Sequence, residues 1–113
     1  MNDCIFCMLA NGDIPTSMVY EDEFIAVFRD TAPQAPVHML MVPKIHVASL
    51  DDLTEDHAEL MSHMMLKIKE VCAQEGLDNG YRCVINTGED GQQTVKHLHI
   101  HILGKRAMQW PPG

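Results

Sequence analysis

Hydrophobic and polar positions along the chain fall into short blocks of two different periods. Residues 4–10 form a brief apolar patch closed by Asn11-Gly12, enough for a turn or two of helix. Met18 to Tyr20 and Phe24 to Phe28 read as two strands joined by an acidic turn at Glu21-Asp22. Thr31 to Pro36 carries two prolines and is a loop. Val37 to Val42 is a nearly continuous apolar run, as a central strand requires, and Pro43 ends it because it brings no N–H to the ladder. The period then changes. Thr54 is a good N-cap, with Glu55 and Asp56 in the first turn, where the helix dipole favours anions. Met61, Met64, Met65, Ile68, Val71 and Cys72 recur at spacings of three and four, which predicts one helical face turned to the core. Gly76 closes this long helix of about 20 residues as a left-handed cap. Tyr81 to Asn86 returns to strand, Thr87 to Gln93 is a polar loop with two glycines, and His97 to Leu103 is the last strand. Strands, one long helix, then strands give an α+β class, with a mostly antiparallel sheet and the helix on one face. Residues 1–113 form a single domain without repeats, linkers or low-complexity runs.

Composition refines this picture. Nine methionines against three phenylalanines predict a core of Met, Ile, Leu and Val. Cys72 and Cys83 stand alone in apolar segments and are expected in that core. His57 and His63 lie six apart on the helix, share no face at metal spacing, and are expected to be solvated. The acidic run Glu21-Asp22-Glu23 reads the same way. A formal net charge of −8 argues against a duplex-binding or anionic-membrane surface, so no nucleic-acid polymer and no membrane is expected as partner. It leaves room for a single nucleotide held by backbone N–H groups and imidazoles. No apolar stretch approaches the ~18 residues that span a bilayer. Met1-Asn2-Asp3-Cys4 shows no export signal, so a cytoplasmic address is expected, with the cysteines as thiols or metal ligands.

The most informative segment is His97-Leu98-His99-Ile100-His101-Ile102-Leu103. Its alternation puts Leu98, Ile100 and Ile102 on the core side of a strand and His97, His99 and His101 on the other, roughly 6–7 Å apart. Such a row has three readings: a solvent-facing strand, a metal site, or nucleophilic and acid–base chemistry at phosphorus. A neutral imidazole is a good nucleophile near neutral pH. The preceding loop, Asn86-Thr87-Gly88-Glu89-Asp90-Gly91-Gln92-Gln93-Thr94, favours the third. Glycines let backbone N–H groups approach an anion, which a phosphate site needs and a pure metal site does not.

These residues resemble the histidine-triad family, whose pattern is His-φ-His-φ-His-φ-φ with φ apolar. Phe28-Arg29-Asp30, Pro33-Gln34-Ala35-Pro36-Val37-His38, Val42-Pro43-Lys44-Ile45-His46, Gly80-Tyr81-Arg82 and Trp110-Pro111-Pro112-Gly113 look like its nucleotide-binding (HINT) branch. The resemblance implies a five-stranded antiparallel sheet with one long and one short helix, dimerising into a ten-stranded sheet. It implies a purine nucleoside phosphoramidase acting on adenosine 5′-monophosphoramidates. His99 would attack the α-phosphorus to give a nucleotidyl-histidine that water hydrolyses. The His97 carbonyl would fix the His99 tautomer, His101 would contact the phosphate, and His38 would support the site. Asp30 matches the ribose-binding residue; Ile5, Phe6, Leu9, Phe28 and Thr31 match the base pocket. Asn86, Gln93 and Thr94 match residues around the phosphate and leaving group, and Trp110 one that reaches toward the partner subunit. Two positions depart: Gln92 replaces a usual glycine, and Thr94 a frequent serine whose hydroxyl hands a proton to the leaving amine.

Cys4 and Cys7 form a Cys-x-x-Cys pair. Relatives with this pair hold structural Zn²⁺ with it, a histidine matching His46 and the first triad histidine, His97, so the resemblance implies a Cys₂His₂ site. Catalysis itself is expected to need no cofactor. Two rival readings stand beside the enzyme: a dimeric nucleotide sensor with little turnover, and a zinc-dependent hydrolase using the triad as ligands.

Overall fold

A computed structural model describes residues 4–113; Met1 to Asp3, part of the segment read above for an export signal, lie outside the described residues. The chain opens with α1 (Ile5–Ala10), capped by Cys4, whose sulfur accepts the Cys7 N–H. Strands β1 (Met18–Glu21), β2 (Ile25–Arg29) and β3 (Val37–Pro43) follow. Two short 3₁₀ turns then lead into α2 (Ala58–Gln74), and β4 (Tyr81–Val84) and β5 (Ile100–Gly104) complete the chain. The five strands form one antiparallel sheet in the order β1-β2-β3-β5-β4.

Both faces of this sheet are covered. Ile25 and Val27 of β2, Met39 and Met41 of β3, and Ile100 and Ile102 of β5 meet Met64, Ile68, Val71 and Cys72 of α2. The alternate residues Ala26, Phe28, Leu40 and Val42 form a second cluster with Phe6 and Ala10 of α1. Full burial of one such large side chain contributes about 1.5–3 kcal/mol. Burial pushes the Cys72 thiol up to about 11, so it stays a protonated core group.

Thr54 caps a 3₁₀ turn (Glu55–His57) that runs straight into α2, so the α-helix proper begins at Ala58, later than the expected cap. Thr54 accepts the Asp56 N–H, and His57 Nδ1 accepts the Thr54 N–H at 2.9 Å. His57 thus fills the reciprocal role that Glu or Gln usually has in a capping box, and is not simply solvated. His63 is also engaged: its Nε2 donates to Asp22 at 2.7 Å, and its ring packs edge-on to Phe24. Asp22 also accepts from Tyr20 Oη and the backbone N–H groups of Phe24 and Ile25. Burial raises its carboxyl, but these hydrogen bonds outweigh that and hold it well below the usual carboxylate range. The acidic turn is therefore a fastener between the β1–β2 hairpin and α2.

Three other expectations are corrected. Met65 is 48% exposed, because it sits one position off the buried line Met64–Ile68–Val71. Cys83 lies exposed on the edge strand, outside the core. The last two strands are shorter than their apolar runs. Continuing the β3–β5 register would set Leu98 opposite Pro43, which has no N–H to donate. Leu98 N–H instead donates to Val47 O at 2.7 Å, and the chain leaves the ladder between His97 and His99. Among the described residues no helix is long and apolar enough to cross a membrane.

Candidate active site

His99 and His101 leave the sheet on the α1 side, where Leu40 pairs with His101 and His38 with Leu103. The expected alternation holds, with Ile100 and Ile102 facing α2, but the histidine side is no solvent face: His97 is 0% and His99 5% exposed. A cavity of about 720 Å³ opens beside them. Ile5, Phe6 and Leu9 of α1, Phe28 of β2, and Asp30 and Thr31 after it give one wall. Asn86, Thr94, His99 and His101 give the other. The first wall is thus apolar and aromatic except at its Asp30–Thr31 end, and the other carries amide, hydroxyl and imidazole groups.

Hydrogen bonding fixes where each neutral imidazole keeps its proton. His99 Nδ1 lies 2.6 Å from the carbonyl oxygen of His97, to which it can only donate. The unprotonated nitrogen is therefore Nε2. His38 Nδ1 accepts the Gln34 N–H at 3.0 Å, so His38 carries its proton on Nε2. That Nε2 lies 2.9 Å from His101 Nδ1 and 3.4 Å from Asp30 Oδ2. His101 Nδ1 is thus an acceptor, and its own proton sits on Nε2. One imidazole is left as a bare nucleophile and its neighbour as a neutral donor. Burial, then the neighbouring His99 and His38, push His101 down to about 4, although Asp30 pulls the other way. Burial likewise lowers His38 against the pull of Asp30. Both are neutral near pH 7.

Cys4, Cys7, His46 and His97 form a second cluster, with ligand atoms all within 4.8 Å of one another. His97 Nδ1 lies 3.1 Å from Cys4 Sγ and 3.3 Å from Cys7 Sγ, and His46 Nδ1 is 3.3 Å from Cys7 Sγ. A tetrahedral zinc site has sulfur–nitrogen edges of about 3.6 Å, so the four donors are nearly in place. His97 Nε2 donates to Pro43 O at 2.9 Å, which directs the lone pair on Nδ1 into the cluster. An outer hydrogen bond of this kind is usual for a metal-bound histidine. These residues fit a zinc ion.

Gln93 is placed differently from its sequence reading. Its Nε2 donates to Ala48 O at 2.7 Å and Val95 O at 3.0 Å, and its Oε1 accepts the Gly88 N–H. The side chain is buried as a staple of the loop and does not line the cavity. Gln92 adopts φ +62°, the left-handed conformation that glycine takes without cost, so its side chain is accommodated at the backbone position of a glycine. At Gly91 a Cβ would collide with the Thr87 carbonyl oxygen, so that residue admits no side chain. Sequence reading missed the Gln34 N–H and the Pro43 carbonyl, because backbone groups leave no residue signature. Trp110 is 80% exposed, with Arg82 over its ring at 5.9 Å.

The family described as "Scavenger mRNA decapping enzyme C-term binding" matches residues 3–110. An uncharacterized HIT-like protein of Synechococcus elongatus is 53% identical over 98% of this chain and 97% of its own. A "14 kDa zinc-binding protein" of Zea mays is 46% identical over 96% of this chain and 87% of its own. Among solved structures, a HIT family hydrolase of Legionella pneumophila superposes with TM-score 0.95 at 46% identity, covering 98% of this chain and all of that one. A histidine triad protein of Clostridium difficile gives TM-score 0.93 at 44% identity, covering 96% of each chain. With the triad motif, the sheet order and these matches agreeing along the whole chain, the protein belongs to the histidine-triad (HIT) family.

Proposed function

We propose that the protein is a purine nucleoside phosphoramidase of the nucleotide-binding branch, cleaving adenosine 5′-monophosphoramidates through a nucleotidyl-His99 intermediate. The observation that carries this reading is the 2.6 Å bond from His99 Nδ1–H to the His97 carbonyl. It leaves Nε2 with an available lone pair on a ring that lines the cavity.

In this reading the base lies between Ile5, Phe6, Leu9, Phe28 and Thr31, and the ribose hydroxyls bond Asp30. The α-phosphate faces His101, Asn86 and the Thr94 hydroxyl. His99 Nε2 attacks phosphorus; the P–N bond breaks, and its electron pair goes to the leaving nitrogen, which takes a proton supplied through Thr94. Water then attacks the nucleotidyl-histidine and gives up a proton to solvent. The P–Nε2 bond breaks, its pair returns to His99, and AMP leaves. The His97 carbonyl stabilises the imidazolium character that His99 gains when bonded to phosphorus. Neutral His101 donates Nε2–H to a phosphoryl oxygen without a net charge of its own. A positioned proton donor is worth ~10²–10⁴ in rate.

Cys4, Cys7, His46 and His97 would hold a structural Zn²⁺, in keeping with the name of the maize relative. The ion would tie α1 to the sheet and take no part at phosphorus. The exposed β4 edge, which begins with Tyr81, and the exposed Met65 and Leu66 of α2 fit a second copy pairing β4 to β4 into a ten-stranded sheet.

The test is hydrolysis of an adenosine 5′-phosphoramidate by wild type and His99→Ala. Release of AMP by wild type alone is the expected result. Equal release by both proteins overturns His99 catalysis. Tight nucleotide binding without release by wild type assigns the protein instead as a sensor.

A further inference from the structure

Two features near His99, the cavity and the cysteine cluster, share their supports. Cys4, the N-cap of α1, and Cys7 within it flank Ile5 and Phe6, so residues that would grip an ion sit next to residues that wall the cavity. The Phe6 ring stands edge-on to His99 at 4.9 Å, to His97 at 6.2 Å and to Phe28 at 5.7 Å. His97 is the second shared part. Its ring is, with Cys7, one of the two buried members of the cysteine cluster, and its carbonyl is the acceptor for His99. Its imidazole is held from the other side by Pro43 O, at the last residue of β3. A third contact is Ile5, which lines both the large cavity and a smaller one with Cys4, His46 and Thr94.

We infer that the Cys4/Cys7/His46/His97 cluster is a positioning device for the nucleophile, so that the ion in the cluster and the nucleotide in the cavity strengthen each other's binding. This rests on the nucleotide reading of the cavity. Fixing the four ligands fixes the height and tilt of α1 and the plane of the His97 peptide. Those two settings bring Phe6 against the base and keep the His99 proton on Nδ1. A nucleotide wedged against Ile5 and Phe6 in turn presses α1 onto the sheet, where its two cysteines meet His46 and His97. Linkage makes the coupling reciprocal, and couplings between such sites commonly amount to about 5- to 150-fold.

Competition of the metal-loaded protein against a chromophoric zinc chelator, with and without saturating AMP, measures this directly. AMP is expected to raise zinc affinity about tenfold. A cobalt-loaded sample gives a second readout that needs no metal-free protein: AMP is expected to shift the cobalt ligand-field bands, although it touches no ligand. Nitrogen-resolved NMR of the imidazoles supplies a third, with His99 purely in its Nδ1–H form when loaded. If AMP binds, as judged by calorimetry, yet zinc affinity and the cobalt spectrum stay unmoved, the coupling is wrong and the nucleotide reading survives. If AMP fails to bind at all, both fall together.

Discussion

On the α2 side of the sheet, Ile25, Val27, Met39, Met41, Ile100 and Ile102 pack against Met64, Ile68 and Val71, and volume and shape decide the fit. On the α1 side, Ala26, Phe28, Leu40 and Val42 share their face with His38, His99 and His101, and each imidazole has a nitrogen tied to a named partner. The same strands build both faces, one residue out of step. The first face sets where the backbone lies. The second uses that backbone to set where protons lie. A substitution on the first should therefore cost stability and spare chemistry, and one at an imidazole of the second should do the reverse.

The largest expected effect is on the second face. His99→Ala should lower phosphoramidate turnover by about 10⁴-fold or more, with thermal stability close to wild type, measured by steady-state kinetics and calorimetry. Its counterpart is Ile102→Ala, which removes a fully buried side chain from the α2 side. That change should cost about 2–5 kcal/mol in urea unfolding, with kcat/KM of the folded protein within about twofold. If the two variants exchanged these signatures, the division between the faces would be lost.

His38→Ala sharpens the comparison, because in the proposed mechanism His38 acts through His101, 2.9 Å away, and not on phosphorus. Without it His101 is no longer held to one tautomer, and turnover should fall about 10–100-fold with little change in KM. A smaller effect follows from pH. His101 titrates near 4 in the fold, lowered first by burial, against about 6.5 in an unfolded chain. Its contribution to stability is complete above pH ~6.5 and is lost as pH falls toward ~4, since the unfolded state takes up the proton first. Urea midpoints should decline across that window, and less steeply in His101→Asn. The smallest effect is Gln92→Gly, which relieves a left-handed backbone and should raise stability by up to about 1 kcal/mol.

The fold was legible where one period ran unopposed. The Val37–Val42 run and the Ile100/Ile102 alternation appear as read, and Thr54 caps the 3₁₀ turn that leads into the long helix. It was less legible where backbone chemistry overrides pattern. Pro43 cuts the β3–β5 ladder short of His97, although the apolar alternation runs through it. Met65 follows the helical spacing closely enough to look buried but faces outward. His57, His63 and Asp22 look solvated because their partners are distant in sequence or on the backbone. Within the site, residue types announced the imidazoles, the aromatic wall and the cysteines. The tautomers were less visible, because they depend on Gln34 N–H and Pro43 O, groups that every sequence contains.

Rapid quenching of wild type during turnover of an adenosine 5′-phosphoramidate, followed by peptide mass spectrometry, tests the nucleophile most directly. An adenylyl group on the peptide bearing His99, formed and discharged at the rate of turnover, is the expected result. Turnover with no adduct, or with one on another residue, would contradict the assignment of Nε2 of this imidazole as the atom that bonds to phosphorus.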